Sequence, residues 1–112
     1  MLHKMKLTAP AFDAIKSGKK IIEIRLYDAK RRIINIEDKI EFTREPDKKE
    51  KIKVQVTGLL RYNAFRDLLE DYPLKYFGAN NKRDLLKNLY SYYTKEKESQ
   101  YGVIGIRIKK II

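Results

Sequence analysis

Apolar residues recur along this chain at spacings that switch between two and three-to-four residues, and the switches mark its elements. Met1 to Leu7 alternates, with Met5 and Leu7 on one side, and predicts a short opening strand. Thr8 or Ala9 then precedes a helix, because Pro10 fits a first helical turn, where its missing N–H is no loss. Phe12 and Ile15, three apart, give that helix an apolar face, and Gly18 ends it. Ile21, Ile22 and Ile24 form a β-branched run that favours extended backbone as far as Leu26. In such a strand Ile22, Ile24 and Leu26 share one face, and Ile21, Glu23 and Arg25 share the other.

Tyr27 to Ile36 breaks the pattern and reads as a basic loop returning to the sheet. Lys39 to Arg44 predicts a strand with Ile40 and Phe42 inward, and Glu45 to Lys51, with Pro46 and dense charge, predicts an exposed hairpin tip. Ile52, Val54 and Val56 alternate with Lys53, Gln55 and Thr57 in a half-buried strand that runs on to Leu60, with Gly58 suited to a bulge. Asn63 is placed to cap a helix carrying Phe65, Leu68, Leu69 and Tyr72, which stops before Pro73. Tyr76-Phe77-Gly78 predicts a turn. Asn81, with Asp84 three residues on, predicts the start of a helix striped by Leu86, Leu89, Tyr90 and Tyr93. Thr94 to Gln100 is polar and predicts a connection into a last strand, with Ile104, Ile106 and Ile108 facing one way and Gly102 and Gly105 at close backbone approaches. Strand, helix, strands, two helices, strand is the order of a small α+β barrel whose ends are closed by helices. The 112 residues suit a single domain over 1–112.

Composition adds a partner. Lys plus Arg number 26 against 15 Asp plus Glu, a formal +11, which predicts attraction to a polyanion. Nucleic acid is the first candidate and an anionic membrane the second; a proteome rich in lysine and isoleucine is the plain alternative. Cysteine is absent and His3 is the sole histidine, which excludes disulfides, thiolate or multi-histidine metal sites and Cys- or His-based nucleophilic chemistry. No metal or cofactor is expected. No apolar run approaches the ~20 residues of a membrane span and the opening residues lack a signal-peptide pattern, so the expectation is a cytoplasmic, monomeric protein.

The candidate chemistry lies at Lys20, Glu23 and Arg25. A strand face that buries Glu23 requires a cationic partner, since an unpaired buried carboxylate is costly. Arg25 is the nearest, and Lys20 can reach in from the start of the strand. The trio is either a salt bridge that satisfies a barrel interior or the floor of a ligand site. Lys30, Arg31 and Arg32 can hold phosphates or form a solvated loop. Tyr27, Tyr62 and Tyr101 flank predicted strand ends, where they can stack bases or serve as core and rim.

Gly18, Lys20, Glu23 and Arg25 form a G-x-K-x-x-E-x-R pattern that resembles the signature of ASCH domains. Tyr27-Asp28, the segment Asp38 to Phe42 and the closing Tyr101 to Ile106 are similar to further features of that family. A glycine usual before Asp38 is Glu37 here. The resemblance implies a PUA-like mixed β-barrel of about five to six strands with flanking helices. It also implies that Lys20, Glu23 and Arg25 face a ligand cleft, with binding of RNA or a nucleotide-like ligand as the leading function. Two alternatives accompany it. Some relatives are N4-acetylcytidine amidohydrolases or ribonucleases, for which Lys20 and Glu23 are the catalytic candidates, although Glu23 stands where the amidohydrolases carry threonine. Other relatives sit in transcriptional coactivators, which points to a protein-interaction module built on the later helices.

Overall fold

The computed structural model describes residues 1–111. Five strands, β1 (Leu2–Leu7), β2 (Ile22–Leu26), β3 (Lys39–Arg44), β4 (Lys51–Tyr62) and β5 (Val103–Lys110), form one sheet in the order β1-β3-β4-β5-β2. β1 runs parallel to β3, and the other three pairings are antiparallel. The sheet curls into a half-barrel whose free edges are β1 and β2. β4 bends at the expected place, where the register with β5 slips between Val56 and Gly58.

Both faces of the curled sheet carry a core. The concave side gathers Met5 and Leu7 of β1, Ile40 and Phe42 of β3, Val54 and Val56 of β4, and Ile104, Ile106 and Ile108 of β5. Helix α1 (Ala9–Lys16) plugs this side with Phe12 and Ile15. Gly18, at φ +83°, turns the chain out of α1, a conformation that favours glycine. On the other face Ile22, Ile24, Leu26 and Val103 pack against Phe65, Leu68 and Leu69 of helix α3 (Phe65–Asp71) and Leu89 of α4 (Lys82–Tyr92). β2 therefore has apolar residues on its helix-covered face and the acid–base pair on its concave face.

Three expectations change. The segment Tyr27 to Ile36 is not all loop: α2 (Ala29–Arg32) makes one turn, capped by the Asp28 carboxylate, which accepts from the Arg31 N–H at 3.2 Å. The polar stretch after Thr94 is helix α5 (Lys95–Tyr101), capped by the Thr94 hydroxyl. It carries too few apolar residues to show a helical period. Asn63 does not cap α3, whose flanking residue is Ala64. The Phe65 N–H instead donates to the buried Glu98 carboxylate at 2.8 Å, and the Tyr90 hydroxyl donates to the same group. A cap supplied from α5, 33 residues away, leaves no local signature.

At Glu37 the backbone adopts the left-handed conformation, at φ +79°, which glycine would take more readily. It is held there by the Glu37 N–H donating to the Val56 carbonyl at 2.8 Å. Beside it Asp38 is bonded by His3 Nε2 at 2.8 Å and by the Asn35 N–H at 2.9 Å. The lone histidine is thus committed to fastening β1 to the start of β3.

Candidate nucleic-acid interface

The motif strand places its charges at the seam between the two free edges. Glu23 is 4% exposed, and its two oxygens are taken separately: Oε1 by Lys20 Nζ at 2.7 Å and Oε2 by Arg25 Nε at 2.8 Å. Arg25 Nη2 crosses the seam and donates to the Lys6 carbonyl of β1 at 2.7 Å. One guanidinium thereby ties β2 to β1 where no strand pairing does. Lys20 is fixed by its own backbone, whose N–H donates to the Ala14 carbonyl at 3.0 Å and which bridges to Phe77. Gly78, at φ +72°, lies against it so closely that a side-chain carbon there would sit 3.0 Å from the Lys20 Cβ.

Burial alone would raise the Glu23 pKa. The charges of Lys20 and then Arg25, with their hydrogen bonds, outweigh it and bring the carboxyl down to about 2. Burial likewise opposes the Arg25 charge, and the Glu23 carboxylate more than restores it. Glu23 and Arg25 are therefore ionised at neutral pH, and by formal charge the three residues carry one positive in excess.

Above this floor lies an open cleft of ≈ 170 Å³. α1 and β1 form one wall through Lys6 and Thr8, and α4 forms the other through Asn88, Tyr92 and Tyr93. Lys6, Lys20 and Arg25 against Glu23 leave the lining net positive. Tyr92 is 63% exposed at the mouth, an uncommon position for a large aromatic side chain. Lys6, Thr8, Asn88 and Tyr92 had no signal in the sequence as site residues. Lys6 and Thr8 read as strand end and helix start, and Tyr92 fell off the apolar stripe.

The remaining sequence candidates lie elsewhere. Arg31 turns inward to Asp28, with Nη1 to Oδ2 at 3.1 Å, rather than presenting itself to solvent. Arg32 and Arg61 both lie against the Tyr27 ring, at 4.5 and 5.3 Å from its centre. Tyr27, Tyr62 and Tyr101 line a separate, wider hollow at the end of the barrel. The Tyr62 hydroxyl donates to Asp71 Oδ2 at 2.6 Å, which raises its pKa. The leucine and tyrosine stripe of α4 packs on the helix-covered face of the sheet through Leu86, Leu89, Tyr90 and Tyr93, of which Leu89 and Tyr93 also reach the cleft. A second concentration of charge lies on the bare outer face of β1, β3 and β4, where the register sets Lys4, Lys39, Lys51 and Lys53 around Glu41.

Among the described residues no group of three or more His, Cys, Asp or Glu could hold a metal ion, and no helix is long and apolar enough to cross a membrane.

Comparison with solved structures places this architecture among known ones. The crystal structure of hypothetical protein PH0355 superposes with a TM-score of 0.87 at 37% identity, covering 99% of this chain and 100% of that one. The solution structure of protein PF0455 from Pyrococcus furiosus gives 0.76 at 35% identity, covering 99% and 98%. An ASCH protein from Zymomonas mobilis, solved as an S128A mutant, shares the fold at 0.72 with 14% identity, covering 96% of this chain and 67% of that one. A search of curated proteins finds no match. The family model for the ASCH domain matches residues 5–112, nearly the whole sequence, with β2 to β5 complete and the second half of β1. By this match, and in agreement with the half-barrel it shares with those structures, the chain belongs to the ASCH domain family.

Proposed function

We propose that the seam cleft binds single-stranded RNA or a nucleotide-like anion, with Lys20 and Arg25 attracting the phosphate and Glu23 holding both cations in place. The observation that carries this reading is the convergence of two largely buried cations on one carboxylate at the floor of an open cleft. An ion pair that served only the barrel interior would be sealed; this one keeps an excess positive charge and a route to solvent. Lys6 adds charge at the rim, and the exposed Tyr92 ring offers a stacking surface for a base. ASCH domains as a family are associated with RNA binding, which agrees with the +11 charge.

Binding to a short oligoribonucleotide, followed by fluorescence anisotropy across a salt series, tests the reading. Log K is expected to fall linearly with log salt. The paired change Lys20→Gln with Glu23→Gln removes one charge of each sign and leaves Arg25 with the Lys6 carbonyl as its remaining partner. It is expected to weaken binding about tenfold while circular dichroism stays that of the folded protein. Undiminished affinity in that variant would remove the cleft from consideration and leave the lysines of the outer sheet face as the source of any binding.

A second reading, hydrolysis of an acylated nucleoside such as N4-acetylcytidine, draws on Thr8. Thr8 lines the cleft and carries a hydroxyl, the group that the position of Glu23 lacks. Release of cytidine by the wild type, lost in Thr8→Val, would establish it; an inert wild type eliminates it.

A further inference from the structure

The hollow at the barrel end is larger than the cleft, ≈ 670 Å³, and falls within the roughly 300–1,000 Å³ typical of ligand sites. Its lining joins Arg61 at the end of β4, the amides of Asn63 and Gln100, and the rings of Tyr27, Tyr62 and Tyr101. No carboxylate is among its lining residues. Guanidinium donors for phosphate, amides that can both donate and accept along a base edge, and aromatic faces are the residue types that single-stranded nucleic acid requires.

Tyr27 has a specific part in this. Arg61 Nη1 donates to its hydroxyl at 3.1 Å, and Arg32 covers its ring. The ring is a mount that sets two guanidinium groups at the rim, both on exposed residues. Tyr62 and Tyr101, each half-buried and packed against the helix-side core, line the hollow with the part of their surface that the core leaves uncovered.

The register joins this hollow to the cleft. Arg25 and Arg61 pair from opposite sides with Ile104 of β5, so the three side chains form a rung on the concave face. Two strand spacings set Arg25 and Arg61 about 10 Å apart, and Tyr27 lies two residues beyond Arg25 on the same face. Ile104 between them is fully buried, so core side chains fill the direct line between the two cations and a strand that joins the sites runs round it on the surface.

We infer that the hollow framed by Arg61, Gln100 and Tyr101 is a second nucleotide subsite, which takes a nucleotide further along the same single strand, beyond the reach of a dinucleotide seated in the cleft. This inference rests on the reading of the cleft proposed above. Arg61 and Arg32 hold the connecting phosphate, and Asn63 and Gln100 meet the base edge.

The test compares a uridine dinucleotide with a uridine octanucleotide on the full chain, by fluorescence anisotropy. Wild type binds the octanucleotide about tenfold tighter than the dinucleotide, because the longer strand reaches both sites. Arg61→Gln with Gln100→Ala, two exposed positions, abolishes that gain, leaves the dinucleotide affinity unchanged and lowers the salt slope for the octanucleotide by about 1. Equal affinities of wild type for the two lengths, or a length gain that survives in the variant, overturn the subsite. Failure of the cleft reading looks different: Lys20→Gln with Glu23→Gln then leaves dinucleotide binding intact. If Arg61→Gln with Gln100→Ala removes that binding instead, the hollow is a site by itself and the shared strand path is overturned.

Discussion

Glu23→Gln is the most informative single change to the seam. The substitution keeps the shape of the side chain and removes its charge. In the native protein the carboxylate faces Lys20 Nζ at 2.7 Å and Arg25 Nε at 2.8 Å, and those side chains are 13% and 14% exposed. A carboxyl brought from 4.5 to about 2 by folding stabilises the folded state by about 3 kcal/mol at neutral pH. Removal of one partner from a buried pair typically costs a similar amount, about 3–5 kcal/mol. Because the folded value lies below the unfolded one, the contribution is complete above pH 4.5 and is lost as the pH falls towards about 2. Urea denaturation at stepped pH measures it directly. At neutral pH the variant midpoint is expected to fall by roughly 1–3 M, with an unchanged slope. The difference between the two proteins should narrow steadily under acid and nearly vanish by about pH 2. A neutral-pH difference under about 1 kcal/mol would refute the reasoning, as would a difference that persists unchanged in acid, because either outcome means that the charge of Glu23 is not what the two cations require.

Other positions give independent checks. Glu37→Gly removes a side chain from a left-handed turn at φ +79°; relief of about 1–2 kcal/mol of strain, less the greater freedom of glycine when unfolded, predicts a gain of up to about 1 kcal/mol and a melting temperature about 4 °C higher by calorimetry. Glu98→Ala strands the Phe65 N–H and the Tyr90 hydroxyl, and should cost about 2–3 kcal/mol in chemical denaturation, with amide exchange quickening first in α3. Gly78→Ala forces a side chain into a left-handed residue 3.0 Å from the Lys20 Cβ; a loss of about 1–3 kcal/mol together with weaker oligonucleotide binding is expected, and weaker stability with unaltered binding would separate Lys20 from the ligand.

Much of the framework was legible because it is local. Period-two runs marked β1, β3 and β4, Gly18 marked the end of α1, and Asn81 marked the start of α4, where its side chain accepts from the Asp84 N–H at 3.0 Å. What was missed either answers to a distant partner or is too short to show a period. α5 buries little besides Glu98, a residue that any pattern assigns to solvent, and its reason for being a helix is the cap it delivers to α3. α2 is a single turn made by one Asp28 side chain, too short for a period to show.

The same division runs through the site. By itself the order of residues determined that an acid and a base share one face of β2, since side chains alternate along any strand, and that a glycine-closed helix sets Lys20 just ahead of them. Which way that face points was a matter for the tertiary structure. Only the sheet order, with β1 and β2 left as edges, turns Glu23 and Arg25 towards a seam, brings the Lys6 carbonyl within reach of Arg25, and lays α4 across the gap as a second wall. The physical reason is that alternation is set within a few residues of chain, whereas a cleft is the space left between elements that meet by long-range packing, and no single one of them encodes it.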